Sequence, residues 1–162
     1  MKLWIQLPSQ RGKDRIQFRP YLDILEKVKR PDTEVSFQPL PAGPGLSSLD
    51  GMGYYGLRFI NDRQILRNAS RAQAEGYDGV VIGCYFDPAL RAARHLLALP
   101  VVGIAEASMF LANLMGLRFA VVTSDHRYID EMGETISLYG MEARAIGHRP
   151  VRAIDLEEKA FL

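Results

Sequence analysis

The stretch Gly79–Asp87, with the sequence GVVIGCYFD, decides the fold. Residues Val80–Ile82 form a short continuous apolar run, which is typical of a strand buried on both faces. A glycine ends the run, and Cys84 follows it. Asp87-Pro88 then has the form of a helix start, with the aspartate as cap and the proline in the first turn. The cysteine is therefore predicted at the carboxyl end of a buried strand, where open α/β sheets place their ligand sites.

Outward from this stretch, short apolar runs alternate with helical patterns. Strands are predicted over residues 2–7, 33–38, 80–82, 100–104, 118–122 and 143–146, and helices over 20–30, 54–75, 89–97, 106–115 and 127–139. The segment 39–53 has three prolines and four glycines and is predicted to be a long loop. Residues 155–158 have the form of a helix capping box. Strands alternating with helices predict an α/β fold, a parallel sheet covered by helices on both faces.

Composition and charge narrow the class of protein. Of the 162 residues, 48% are hydrophobic and 24% are charged, as in globular rather than disordered chains. The 20 Lys+Arg and 19 Asp+Glu give a net charge of +1, which disfavours nucleic acid and acidic membranes as partners. No apolar run approaches the roughly 18 residues of a membrane span, and the N-terminus lacks a signal-peptide pattern. The single cysteine cannot form an internal disulfide, so we expect a reducing compartment, the cytoplasm.

Cys84 is the first candidate for chemistry, because a thiol can act as a nucleophile or as an acid/base group. A helix N-terminus would lower its pKa, whereas the carboxylate of Asp87 would oppose that shift if it faced the sulfur. Alternatively, Cys84 is a small apolar filler at a strand end, since unpaired cysteine is among the most buried residue types. Residue type and position leave both interpretations open.

Metal and nucleotide sites are not predicted. His95, His126 and His148 are widely spaced, and there is no second cysteine to complete a ligand set. The glycines of residues 39–53 match neither the dinucleotide-binding motif nor the P-loop.

Hydroxyl side chains follow two other predicted strands. Ser9 comes after the first strand and Thr123-Ser124 after the fifth, so these loops and Cys84 could converge on one rim of the sheet. Hydroxyls and backbone N–H groups there would suit a carboxylate or imide oxygen of a small-molecule substrate. The alternative for each residue is that it only caps the next helix.

At this point the residues resemble a known family. The run 76–123, GYDGVVIGCYFDPALRAARHLLALPVVGIAEASMFLANLMGLRFAVVT, is similar to the corresponding region of the Asp/Glu/hydantoin racemase superfamily, nearest the hydantoin racemase branch. The most specific parts are the G-C-x-x-D-P turn and the P-V-V-G-I-x-E-A segment. The resemblance extends from the first predicted strand through the fifth.

The resemblance implies two similar α/β halves facing each other across a cleft, with one cysteine from each half. One thiolate removes a proton from the substrate carbon and the opposite thiol returns one, without pyridoxal phosphate or metal. Cys84 matches the first of these thiols. Loop residues around Gln6 to Ser9, and Thr123-Ser124, match positions that bind substrate oxygens, and Tyr85 and Phe86 beside the cysteine complete the predicted substrate-binding set.

Two features depart from the family pattern. The loop after the first strand lacks the Asn-Pro-Asn type of sequence that is usual in hydantoin racemases, and the 162 residues contain no second cysteine. We therefore expect residues 1–104 to form the first half and 105–162 to begin the second. A half-built sheet would expose an apolar face, so we expect a fragment of a longer chain or a partner that replaces the missing half, most simply in a homo-oligomer.

The predicted function is a cofactor-independent racemase or epimerase of an amino acid or a 5-substituted hydantoin. Two alternatives stay open. Within the superfamily, the thiol could serve a decarboxylase or a cis/trans isomerase. In a different class, the chain could be a non-catalytic binding remnant that keeps the fold without the paired acids.

Overall fold

The computed structural model describes residues 1–8, 19–40 and 55–154, with only the backbone of Tyr55 and Leu57. The chain divides into two compact units, Met1–Gly103 and Ile104–Leu162. The assignment of residues 1–104 to a first half and 105–162 to the start of a second half of a two-half fold stays a prediction. The predicted loop 39–53, for the most part, and the capping box 155–158 lie outside the described residues.

The first unit contains a four-stranded parallel sheet. Its strands are β1 (Lys2–Gln6), β2 (Glu34–Gln38), β3 (Gly79–Ile82) and β4 (Val101–Gly103). Their spatial order is β2-β1-β3-β4. The chain therefore steps from β1 to one edge, returns past β1 to β3, and continues in the other direction. This reversal between β1 and β3 is the point where open α/β sheets place their ligands.

Three helices belong to this unit: α1 (Arg19–Val28), α2 (Tyr55–Ala74) and α3 (Leu90–Leu96). Helices α2 and α3 pack against each other, α2 on β1 and β3 and α3 on β4. The handedness rule for parallel crossovers leads us to expect α1 on the face opposite to α2. The predicted α/β fold with a parallel sheet is confirmed. Among the described residues, no helix is long and apolar enough to span a membrane.

The core of the first unit lies between the sheet and α2. Trp4 is 0% exposed, and its ring meets that of Tyr77 edge-on, with centroids 5.1 Å apart. Helix α2 contributes apolar side chains such as the fully buried Ile65. It ends in a Schellman motif, in which Tyr77 N–H donates to Ala72 O at 3.0 Å and Gly76 has a φ of 74°. The glycine predicted to end this helix does so.

The second unit contains α4 (Ile104–Met115), β5 (Val121–Thr123), α5 (Ile129–Leu138) and β6 (Val151–Ala153), with short 3₁₀ turns at His126–Tyr128 and Glu142–Arg144. Strands β5 and β6 pair in parallel. Buried side chains of this unit include Met109 on α4 and Met132 and Ile136 on α5.

Among the described residues, the sequence misplaced the sixth strand. The prediction was 143–146, but Glu142–Arg144 is a 3₁₀ turn and Ala145 makes only an isolated bridge to Phe119. The strand that pairs with β5 is Val151–Ala153. Both segments are short, with three apolar residues in 143–146 and two in 151–153, so local pattern does not distinguish them.

Candidate active site

Two successive turns follow the end of β3, and Cys84 is the first residue of the first turn. In the first, the Asp87 N–H donates to the Cys84 carbonyl at 3.0 Å, and in the second, the Leu90 N–H donates to the Asp87 carbonyl at 3.1 Å. Pro88 and Ala89 occupy the centre of the second turn, and Ala89 has a φ of 59°. A proline followed by a residue with positive φ is the pattern of a type II turn. Helix α3 therefore begins at Leu90, and the prediction that Asp87-Pro88 starts it was wrong.

The first turn stands at the reversal of strand order. Gly83 N–H donates to the Gln6 carbonyl at 2.8 Å, and Leu7 N–H donates to the Gln38 carbonyl at 2.9 Å, so the ladder continues to the rim. A Cβ on Gly83 would lie 3.2 Å from the Gln6 carbonyl oxygen. Close backbone approach at that glycine sets Cys84 directly above the junction of β1 and β3.

Asp87 is a buried acidic residue in this turn. It is 6% exposed and has a φ of 45°. A Cβ built on Gly103, at the end of the neighbouring strand β4, would come within 2.4 Å of the Asp87 carboxylate. Real Cβ atoms do not make such contacts, so the carboxylate occupies a space that only glycine leaves open.

The N-terminal half of α2 supplies further polar groups. Arg58 lies with its guanidinium carbon 5.7 Å from the centre of the Phe86 ring. Asp62 stands one helical turn later, and Asn61 between them is fully buried. The charges of Arg58 and Asp62 both act on the Cys84 thiol. Sequence reasoning missed these residues, although their i, i+4 spacing placed them on one helix face.

These surroundings favour the protonated form of Cys84. The thiol pKa is raised to about 11, chiefly by burial. A hydrogen bond from the Phe86 backbone N–H lowers it, Asp87 raises it, and smaller effects of Arg58 and Asp62 oppose each other. Burial also raises the pKa of Asp62, against the influence of Arg58. The net direction for the thiol pKa, which the sequence left open, is upward, so at neutral pH Cys84 carries its proton.

Gln6 was predicted to bind substrate and lies fully buried in a hydrogen-bond network. Its side-chain oxygen accepts from Trp4 Nε1 at 3.1 Å and from Asn68 Nδ2 at 2.9 Å. Its side-chain nitrogen donates to the carbonyls of Leu7 and Gln38 at 2.9 and 3.1 Å. The side chain ties β1, β2 and α2 together below the rim, and its contact with a substrate stays a prediction.

The other predicted substrate-binding residues fall in different places. Tyr85 and Phe86 lie half-buried in the Cys84 turn. Thr123 is buried and Ser124 half-buried at the end of β5 in the second unit, and their meeting with Cys84 stays a prediction. Ser9 lies outside the described residues.

The described part of the chain also contains no group of three His, Cys, Asp or Glu side chains that could hold a metal ion.

Comparison with known proteins bears on the chemistry of this site. A sequence model of the family described as Asp/Glu/hydantoin racemase matches residues 58–161, which include Cys84. The chain belongs to the Asp/Glu/hydantoin racemase family. The predicted family is thereby confirmed.

Individual members of the racemase family show the same likeness. A hydantoin racemase of Pseudomonas sp. (strain NS671) is 34% identical over 134 residues, which are 82% of this chain and 52% of that protein. A hydantoin racemase of Rhizobium meliloti is 38% identical over 92 residues, 57% of this chain and 37% of that protein.

Among solved structures, the allantoin racemase from Klebsiella pneumoniae matches with a TM-score of 0.81 and 27% identity, covering 99% of this chain and 61% of its own. The chain thus spans about half the length of the Pseudomonas racemase, 52%.

Proposed function

We propose that the protein is a cofactor-independent racemase of 5-substituted hydantoins, including ureido-substituted ones such as allantoin, with Cys84 as one of two acid/base groups. The observation that carries the proposal is the position of a protonated thiol at the strand-order reversal of a racemase-family chain. The similarity to hydantoin racemases and to an allantoin racemase supports this substrate class over free amino acids.

The reaction exchanges the proton on the ring carbon next to a carbonyl. A base on one face takes the proton, and the electron pair moves into the carbonyl to give an enolate. The Cys84 thiol donates its proton from the other face and becomes a thiolate, so the product is the mirror form at that carbon. The base ends protonated, and the two groups have exchanged roles.

A second thiol for the opposite face is not among these residues, because Cys84 is the single cysteine of the 162. We propose that it is contributed by polypeptide beyond these residues, a second copy of the chain included, and that Thr123 and Ser124 help to bind the imide oxygens. Since the proposed chemistry uses a reduced thiol, we place the protein in a reducing compartment such as the cytoplasm.

Exchange of the substrate's ring hydrogen with D₂O tests the role of Cys84. In the unmodified protein we expect loss of the ring C–H signal of a 5-substituted hydantoin, followed by NMR at neutral pH above the uncatalysed background. Cys84→Ser, whose hydroxyl is far less acidic than a thiol, should reduce exchange to that background. Ser137→Ala, on the exposed face of α5, is the control and should keep the full rate. Exchange by the Cys84→Ser variant at the original rate would remove Cys84 from the mechanism.

The same protein preparations separate the alternatives. Release of carbon dioxide from an arylmalonate, or conversion of maleate to fumarate, without hydantoin exchange would assign a decarboxylase or an isomerase. Binding of a hydantoin without exchange, in the unmodified protein, would assign a non-catalytic binding module.

A further inference from the structure

We propose that Asp87 is a positioning residue for Cys84: its buried carboxylate, held where Gly103 leaves room for it, places a negative charge in the turn of the thiol and adds to the effect of burial in disfavouring the thiolate. This inference rests on the proposed role of Cys84 as proton donor, but its test needs no turnover.

The backbone attaches Asp87 directly to the cysteine. The Asp87 N–H donates to the Cys84 carbonyl at 3.0 Å, and the Asp87 carbonyl accepts from Leu90 N–H at 3.1 Å. With a φ of 45°, Asp87 adopts the left-handed conformation, which aspartate tolerates better than most residues. Both backbone polar groups of Asp87 are therefore hydrogen-bonded, which fixes its backbone relative to that of Cys84.

The carboxylate itself is confined by the neighbouring strand and helix. A Cβ on Gly103 would lie 2.4 Å from both the Cγ and Oδ2 atoms of Asp87, and 2.6 Å from the Leu90 side chain. Asp87 is 6% exposed, so water screens its charge poorly. Confinement and burial make the negative charge both fixed and effective at short range.

Burial has the largest effect on the proton affinity of the thiol, and four neighbouring groups modify it. The Phe86 backbone N–H donates to the sulfur, Asp87 approaches from the same turn, and Arg58 and Asp62 approach from α2. Among the three charged side chains, Asp87 has the largest influence, and it raises the pKa of Cys84. A like charge nearby disfavours the thiolate, so removing the carboxylate should release the proton more easily.

Asp87→Asn keeps the side-chain shape and removes the charge. We expect the thiolate absorbance near 240 nm, measured as the difference from the same protein carrying Cys84→Ser so that the absorbance of the seven tyrosines cancels, to appear at lower pH than in the protein with Asp87. Iodoacetamide should alkylate Cys84 about threefold faster at pH 8 for each unit by which the thiol pKa decreases. The thiolate fraction rises roughly tenfold per unit, and the lower nucleophilicity of the thiolate offsets part of this gain. A folded Asp87→Asn variant with an unchanged absorbance titration would overturn the proposal.

Two variants on α2 test the sign of the effect. Asp62→Asn should also lower the pKa of Cys84, but by less than Asp87→Asn does. Arg58→Gln should raise the pKa of Cys84, because the guanidinium favours the thiolate. A purely structural role for Asp87 predicts no such ordered set of shifts. If Asp62→Asn moved the titration more than Asp87→Asn did, the assignment to Asp87 would be wrong.

A measurement on the unmodified protein covers the case in which the Asp87→Asn variant fails to fold. The ¹³C resonance of the Asp87 carboxylate should show an inflection where Cys84 ionises, and this inflection should vanish in Cys84→Ser. Its absence in the unmodified protein would contradict the proposal. If the shifts occur but no hydantoin exchange is seen, Asp87 stands as the positioning residue and the racemase function fails.

Discussion

At the scale of single residues, Gln6 shows how the fold uses a polar side chain near a predicted binding rim. Its amide bonds to Trp4, Asn68 and two strand-end carbonyls, and none of its surface is exposed. A buried amide in such a network stabilises the protein mainly by avoiding unpaired partners. The network therefore fixes the rim on which Cys84 stands.

Gln6→Met tests this role, because methionine has a similar length and no hydrogen-bonding amide. We expect the free energy of unfolding to fall by about 2–4 kcal/mol, since the Trp4 and Asn68 N–H groups would lose a partner. Urea denaturation measures the change. Gln73→Met, on the exposed surface of α2, is the control: it removes only a solvent-exposed hydrogen bond, from the Ala98 N–H at 2.9 Å, and should cost less than about 1 kcal/mol. An equal decrease in the free energy of unfolding in the two variants would show that the hydrogen bonds of Gln6 contribute no more to stability than those of a surface glutamine.

The sequence indicated Cys84 by its residue type and position. The residues of α2 near the thiol became visible only in the structure. Cys84 was recognisable because it is unique and directly follows a buried strand. Arg58 and Asp62 were not, because their approach to the thiol depends on the rotation and crossing of α2 over the sheet, which no local pattern encodes. Gln6 was singled out for its place after a strand, but sequence could not show that its amide is used inside the protein.

At the scale of elements, the packing of β4 against the Cys84 turn depends on Gly103. The missing side chain admits the Asp87 carboxylate and Leu90. A methyl group there must push both aside, in a region closed by the sheet and α3. The strand end and the turn are therefore coupled through a single small residue.

We predict opposite effects for the same substitution at two glycines. Gly103→Ala should lower the free energy of unfolding by about 1–3 kcal/mol through overpacking. Gly133→Ala should raise it by about 0.5–1 kcal/mol, because Gly133 lies inside α5 with nothing within 4 Å of a built Cβ. Thermal or urea unfolding measures both. A Gly103→Ala variant as stable as the unmodified protein would show that the Asp87 and Leu90 side chains can move aside at little cost in free energy.

The ends of elements were predictable where one residue decides them. Gly76 and Gly140 both have positive φ values at the ends of α2 and α5, as their positions in the sequence indicated. The start of α3 was not, because Asp87-Pro88 fits both a helix start and a type II turn, and close packing against Gly103 favours the turn. The same ambiguity of short patterns misplaced β6.

At the scale of the whole molecule, the two units differ in how their strands are supported. Strands β1 and β3 each pair on both sides, whereas in the described residues β5 and β6 form a two-stranded sheet. Two-stranded sheets are marginal alone, while central strands under packed helices are the most protected. The fold class followed from the alternation of strands and helices, but this difference depends on pairing that sequence does not show.

Hydrogen exchange should reveal the difference. We expect amides of β1 and β3 to exchange slower than those of β5 and β6, by about an order of magnitude or more, in the 162-residue chain. Mass spectrometry of peptic peptides measures the rates, and the denatured chain provides the correction for intrinsic exchange. Equal protection of the two sets would mean that both units unfold together.

The raised thiol pKa has a consequence for the chemical survival of the protein. Peroxide attacks thiolates rather than thiols, and a group with a pKa of about 11 is almost entirely thiol at neutral pH. Cys84 is half-buried rather than sealed, and the proton that its surroundings hold on the sulfur slows conversion to sulfenic acid. Burial, and to a smaller extent the carboxylate of Asp87, therefore protect the one sulfhydryl of the 162 residues from oxidation.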